Sequence, residues 1–205
     1  MSGSHTPPGS DSPAPADVVG RKTALRDQLL TSRGRIEVAR LGELARSLTQ
    51  VVVDIPDVRR AETVAVYVSI GSEPGTGLLL DELISAGKRV LLPCLQPDND
   101  LDWAEYDGAL VRAPRGLLEP DGERLGVSAI ARADVVLVPG LAVDSRGYRM
   151  GRGGGSYDRV LARVPAEALT CVLLYPWEVG VPVPVEAHDR AVGAAASAEG
   201  MRRFD

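Results

Sequence analysis

The chain contains no uninterrupted apolar run approaching the roughly 20 residues that a membrane-spanning helix requires, and this excludes a spanning protein. Its opening, MSGSHTPPGSDSPAPA, holds turn formers but not the charged, then apolar, then small-residue order of a secretory signal, so the cytoplasm is the expected location. Cysteine is scarce. Cys94 and Cys171 lie in apolar strand-like runs and are expected to be buried reduced thiols, with no disulfide framework and no zinc ligand set. Lysine is as scarce, because 21 of the 23 basic residues are Arg and only Lys22 and Lys88 are Lys. The net charge is −5 and no aromatic residues interleave with a basic stripe, so bulk nucleic-acid binding is not expected. What remains is the balance of a globular chain, 44% hydrophobic and 25% charged, whose 205 residues suit one domain with an appendage.

Residues 1–16 hold almost no large apolar side chain and cannot offset their ordering entropy by burial, so a disordered tail is expected there and a single domain over 17–205. Asp17 is a candidate N-cap. Val18, Leu25 and Leu29, then Ile36, Leu44 and Leu48, recur at helical spacing and predict two amphipathic helices broken near Ser32-Arg33-Gly34. Beyond Pro56, short β-branched runs alternate with helical stretches. Strands are predicted at Thr63–Ser69, Arg89–Cys94, Leu101–Tyr106 (more exposed, alternating in polarity), Asp134–Pro139, Leu169–Leu174 and Ala191–Ala195. Helices are predicted at Gly77–Ala86, Val127–Ala133 and Tyr157–Arg163. Strand, crossover and strand in succession give the class: α/β, a mostly parallel sheet covered on both faces.

Six glycines fall between Gly140 and Gly155, and the run RMGRGGGSYDR sits between a predicted strand and a predicted helix. Glycine lets backbone N–H groups converge on an anion without Cβ obstruction, and a following helix adds its positive end. Arg149 and Arg152 can grip phosphate oxygens, while Asp158 in the first helical turn can reach a metal ion that bridges them. A flexible surface loop with a capping Asp would also produce this pattern. The run matches neither G-x-x-x-x-G-K-[ST] nor G-x-G-x-x-G in a first strand-helix turn.

The stretch LVPGLAVDSRGYRMGRGGGSYDRVL, Leu137 to Leu161, resembles the signature of the 5-formyltetrahydrofolate cyclo-ligase family, also called methenyltetrahydrofolate synthetases. Shorter segments agree in order: Lys22 to Arg26, Tyr67 to Glu73, Gly116 to Pro120, and Pro184–Asp189 (PVEAHD). The likeness covers nearly everything from residue 18 to 200. It implies a three-layer, Rossmann-like α/β sandwich that binds ATP and a reduced folate at the carboxyl ends of the strands. It also implies a reaction: the formyl oxygen of 5-formyltetrahydrofolate attacks the γ-phosphate of ATP, N10 closes onto the activated carbon, and phosphate leaves. The products are 5,10-methenyltetrahydrofolate, ADP and phosphate, and phosphoryl transfer of this kind asks the protein chiefly for positioning and charge stabilisation.

The implied ATP site joins Lys22 and Arg26, one helical turn apart, to the loop running from Arg149 through Met150, Gly151, Arg152, Gly153, Gly154, Gly155 and Ser156 to Tyr157. On spacing alone Lys22 and Arg26 are a solvated basic face. Arg149 and Arg152 take the catalytic roles, and Asp158 and Asp189 match the family's magnesium carboxylates. Asp189 without the likeness is a turn residue, and His188 is expected to be structural. The implied folate site holds Val68, Glu73, Arg152, Gly153, Gly154, Gly155 and Ser156, with Glu119 and Trp103 as further candidates. Glu73, otherwise an exposed loop acid, can accept two parallel hydrogen bonds from the amide N–H and exocyclic amine of a pterin.

The chain departs from the family at Ser156, where an aromatic ring is usual, and at Pro176-Trp177-Glu178, where Gln is common. A missing ring removes packing area worth about 1 kcal/mol. The alternative reading is therefore a folate- or nucleotide-binding protein on the same scaffold with weak or no cyclo-ligase activity. The expected partners are ATP and 5-formyltetrahydrofolate with magnesium as cofactor, no nucleic acid, no membrane, and a monomeric chain.

Overall fold

The computed structural model describes residues 15–204. The tail expected over 1–16 lies outside them except for its last residues, because helix α1 spans Pro15–Arg33. Asp17 therefore sits inside the first turn, paired with Arg21 at 3.2 Å, and is not the N-cap. Helix α2, Val38–Asp54, follows the predicted break and buries Leu44, Leu48 and Val52. A short α3, Pro56–Arg60, opens on the proline that ends α2.

Strand β1 is Thr63–Ala65, three residues where seven were expected. Its ladder stops because the backbone beyond Val66 is claimed by Thr76. The Thr76 hydroxyl donates to the Tyr67 carbonyl at 2.8 Å and accepts from the Ser69 N–H at 2.9 Å. Helix α4 is Gly77–Ser85, β2 Arg89–Leu95 and β3 Leu101–Glu105. A hairpin follows, β4 Leu110–Arg112 with β5 Leu118–Pro120, which the sequence pattern did not reveal. Val127–Arg132 forms a 3-10 turn in place of the expected helix and leads into β6, Val135–Pro139.

After β6 the chain makes a second small hairpin, β7 Ala142–Val143 with β8 Arg149–Met150, before the glycine loop and α5, Ser156–Leu161. The glycine loop thus follows a hairpin and does not follow the sheet strand directly. Strand β9 is Leu169–Leu173, β10 is Ala194–Ser197, a few residues later than expected, and an unforeseen β11, Gly200–Arg203, closes the edge.

The seven-stranded sheet runs β11-β10-β9-β6-β1-β2-β3. Its five inner strands are parallel and the two edges antiparallel, so the mostly parallel α/β class holds. Alternation along the strands divides the core. Val64, Val135 and Leu137 face α2 and α4, while Ala65, Val136 and Val138 face α5 and the 3-10 turn. Strand β3 is less exposed than expected, because Leu101, Trp103 and Ala104 are buried there. Helix α1 packs elsewhere: Leu29 joins Leu141, Ala142, Met150 and Val183 against the β7–β8 hairpin.

From β1 the chain goes to β2 on one side and then to β6 on the other, so the strand order reverses between β1 and β6. In open parallel sheets a crevice opens at the carboxyl ends of such a pair. No described helix is long and apolar enough to cross a membrane.

Candidate functional site

A cavity of about 590 Å³ lies at that reversal, bounded by Tyr67 and Val68 beyond β1 and by Pro139 and Gly140 at the end of β6. Helix α1, the β8–α5 loop, the turn before β10 and the segment around β5 complete its walls. Lys22, Arg26, Val68, Glu73, Arg149 through Asp158, and Asp189 all line it, so segments widely separated in sequence converge on one space. Glu119 lines it too. Trp103 does not: it is 1% exposed in the core beneath the 3-10 turn, where it packs instead of facing a ligand.

The glycine loop has a conformational reason for its composition. Gly153 and Gly155 adopt φ of 97° and 68°, and a Cβ on Gly153 would lie in van der Waals contact with the Arg26 guanidinium at 3.4 Å. Arg26 donates from Nε to the Gly151 carbonyl at 3.1 Å, fixing one side of the loop to α1. Among the described residues, none of the backbone N–H groups from Gly151 to Gly155 finds an acceptor. They are free for an anion. Helix α5 has only six residues, so its dipole adds less than the pattern implied.

The charged groups are paired across the cavity. The Arg152 Nε donates to Glu73 Oε1 at 3.0 Å, and the Ile70 N–H donates to Glu73 Oε2 at 3.0 Å, which aims the carboxylate. Lys22 Nζ lies 2.8 Å from Glu186 Oε2 and 2.6 Å from Asp189 Oδ2. Burial pulls the Lys22 ammonium down, but the hydrogen bonds and charges of Asp189 and Glu186 outweigh it and hold its pKa above the ordinary lysine range. Arg149 is buried and donates from Nη1 to Asp158 Oδ1 at 2.9 Å and to the Arg190 carbonyl at 3.3 Å, while its Nε keeps no partner. Asp158 also accepts from the Arg190 N–H at 3.2 Å, so it supports the loop's cation as well as facing the cavity. Burial, with Glu73 nearby, pushes the Tyr157 hydroxyl well up, and it stays neutral.

Glu186, His188 and Asp189 bring one donor atom each within 4.8 Å of one another, and Asp158 is not in that group. Carboxylate oxygens are the hard donors magnesium takes, and the Lys22 ammonium held between two of them shows a place shaped for positive charge. The residues therefore fit the ion. Glu186 stands in the same PVEAHD segment, where the family likeness gives a role only to the terminal Asp189.

Two further features escaped the sequence. Arg33 and Glu178 form a buried ion pair behind the cavity wall, and Arg33 also donates to the Gly140 carbonyl at 2.6 Å. Glu119 spends its carboxylate on the fold, accepting from the Leu95 N–H at 2.9 Å and from Arg124 Nη2 at 2.9 Å. Arg124 in turn contacts Cys94, whose thiol burial pushes up to about 11, and Cys171 rises to about 12, so both cysteines are buried free thiols as expected.

Thr76 holds the segment that carries Glu73. Thr76→Val keeps the shape but leaves the Tyr67 carbonyl and Ser69 N–H unpaired, with an expected loss of about 2 kcal/mol or more. A thermal melt should show a fall of about 5 °C, and an unchanged melt would remove Thr76 from this role.

A mostly parallel α/β fold, with a free-amide glycine loop, flanking cations and a carboxylate pair in the crevice at its strand reversal, has the make-up of a site for polar small molecules. The sequence pattern of the 5-formyltetrahydrofolate cyclo-ligase family matches residues 18–197, and the chain belongs to that family. It is 42% identical over 178 residues to the 5-formyltetrahydrofolate cyclo-ligase of Mycolicibacterium smegmatis, covering 83% of this chain and 90% of that protein. The solution structure of Aquifex aeolicus 5,10-methenyltetrahydrofolate synthetase superposes with a TM-score of 0.77 at 27% identity, covering 89% of this chain and 92% of that one. The 5,10-methenyltetrahydrofolate synthetase of Mycoplasma pneumoniae, at 19% identity and a TM-score of 0.69 over 86% and 98% of the two chains, shares the fold.

Proposed function

We propose that this cavity carries out the ATP- and magnesium-dependent cyclisation of 5-formyltetrahydrofolate to 5,10-methenyltetrahydrofolate, with release of ADP and phosphate. The observation that carries this reading is the 3.0 Å ion pair between Arg152 of the phosphate loop and Glu73 of the folate wall. It supports the reading because the glycine loop, read here as the phosphate site, then adjoins a carboxylate suited to a pterin, and the reaction needs a γ-phosphate and a formyl oxygen in contact at that junction.

In this reading the amides of Gly151 to Gly155 and the side chains of Lys22 and Arg26 hold the phosphates. Arg149 and Arg152 face the charge that develops as the phosphoryl group transfers. Arg149 arrives with a buried, unspent Nε, and its position is set by Asp158. Glu73, Val68 and the inner side of the loop hold the folate. Asp189, with Glu186 beside it, and Asp158, which lies outside that pair and is held by Arg149, would be the carboxylates for a magnesium ion, which would neutralise phosphate charge. The N10 proton is released as the ring closes and phosphate leaves, and the departing phosphate or water can take it, so His188, 68% exposed, is given no chemical part.

Incubating the protein with 5-formyltetrahydrofolate, ATP and magnesium should build up the absorbance of the methenyl product. Its absence with intact ATP binding would favour the binding-protein alternative, which Ser156 recommends. Ser156 is half-buried and lines the cavity. Ser156→Tyr is expected to lower the KM for 5-formyltetrahydrofolate about fivefold, the value of one packed ring. The KM for ATP should hardly move, since loop amides do not change. An unchanged or higher folate KM would mean that serine is fully accommodated.

A further inference from the structure

Among the described residues, Asn99 and Arg115 are the two non-glycine residues with a left-handed backbone, at φ of 64° and 62°. They come from different loops, one between β2 and β3 and the other in the turn from β4 to β5, and they meet: Arg115 Nη1 donates to Asn99 Oδ1 at 2.7 Å. Both line the cavity. Asparagine adopts this conformation readily, whereas arginine is strained in it, and Gly116 beside it, at φ 75°, is the residue type that such a turn ordinarily takes. Arg115 is exposed, and its Nε and Nη2 meet no acceptor among the described residues. The other cations of the cavity are engaged. Lys22, Arg149 and Arg152 each pair with a carboxylate, and Arg26 donates to the Gly151 carbonyl. Asp100, next to Asn99, is taken by Arg163. Arg115 therefore lines the cavity without a counter-charge among the described residues.

We infer that Arg115, aimed by Asn99, binds the α-carboxylate of the glutamate on the folate tail. The inference rests on the reading of this cavity as a folate site with the pterin at Glu73. Strand β1, whose following loop carries Glu73, and strand β3 are two strand spacings apart, about 10 Å. On the β3 side the cavity lining turns apolar: Pro93 and Leu95 from the end of β2, Leu101 from the start of β3, and Leu117 and Leu118 from the hairpin. Leu118 is 39% exposed, an apolar side chain left for a ligand to cover. Glu119 pins the hairpin over this strip by accepting from the Leu95 N–H at 2.9 Å. An apolar strip that ends at an arginine without a counter-charge suits an aromatic ring followed by a carboxylate, the order of groups in a benzoylglutamate. The open Nε and Nη2 edge offers two parallel N–H groups to the two carboxylate oxygens.

Arg115→Gln removes the charge at an exposed position, so its free melting temperature should equal the parent's. KM values are measured in parent and variant for ATP, for 5-formyltetrahydrofolate, and for 5-formyltetrahydropteroate, which ends at the benzoate and carries no glutamate. The variant is expected to raise the 5-formyltetrahydrofolate KM about 5- to 20-fold, less than a fully buried charged hydrogen bond would give. It should leave the pteroate KM and the ATP KM at the parent's values, and the parent should already bind the pteroate more weakly by a similar factor. An unchanged 5-formyltetrahydrofolate KM would overturn the inference. So would an equal rise for both reduced pterins, which with a lowered melting temperature would assign Arg115 to the hairpin's fold. A raised ATP KM in place of the folate effect would overturn it too and assign Arg115 to the phosphates. If the parent turns over neither reduced pterin, the folate reading of the cavity fails and takes the inference with it.

Discussion

Glu178→Ala is expected to destabilise the protein by about 3–5 kcal/mol, the loss seen when one member of a buried ion pair is removed. Glu178 accepts from Arg33 Nε and Nη2 at 2.7 Å each and from the Tyr175 N–H at 3.0 Å, and the two side chains are 1% and 0% exposed. Alanine leaves the Arg33 guanidinium buried without a counter-charge. The midpoint of thermal unfolding should fall by about 10 °C or more. Replacing both partners, Arg33→Met with Glu178→Leu, should be milder than either single change, because no charge is then stranded. A single variant that melts like the parent would show that water reaches Arg33 and that the pair is not part of the framework. The pair matters to the site as well. Arg33 holds the Gly140 carbonyl, and Tyr175 donates from its hydroxyl to the Ser72 carbonyl at 3.3 Å, next to Glu73. Residual enzyme in the variant should therefore show a raised folate KM.

Asp158→Ala is expected to lower turnover by about 10²–10³, the range for removing one group that stabilises developing charge. The structure adds a loss of stability, since the same change strips the buried Arg149 of its counter-charge and the Arg190 N–H of its acceptor. Asp158→Asn divides the two effects. The amide oxygen can still accept from Arg149 and from the Arg190 N–H, so the melting temperature should recover, while a neutral group cannot replace a carboxylate toward magnesium and turnover should stay low. If Asn restores both, Asp158 acts only by holding Arg149.

These two positions show what local pattern could reveal. Asp158 was visible because it sits three residues beyond a glycine run whose φ values only glycine adopts easily, so both the loop and its neighbouring acid were marked in the chain itself. Its pairing with Arg149 was not visible. Nothing in Ser32-Arg33-Gly34 marks an arginine that will be buried, because its partner lies 145 residues away. Trp103 sits at an alternating position that fits a cavity wall as well as a core, and the 3-10 turn over β3 decided for the core. Strand β1 was overestimated for a related reason, since TVAVYVS has strand propensity throughout and only Thr76 takes the backbone of its second half out of the ladder.

The sequence by itself determined the α/β class, the two amphipathic helices, the glycine loop and the placing of Lys22 and Arg26 on one helical face. Each of these follows from spacing over a few residues, where side-chain period and backbone preference act locally. Only the tertiary structure decided how charges are used. Lys22 meets Asp189 across 167 residues, Arg152 meets Glu73 across 79, and Glu119 turns away to Arg124 while still lining the cavity. A carboxylate's role depends on which donors reach it, and those donors arrive through the sheet order that brings β1 and β6 together at one crevice.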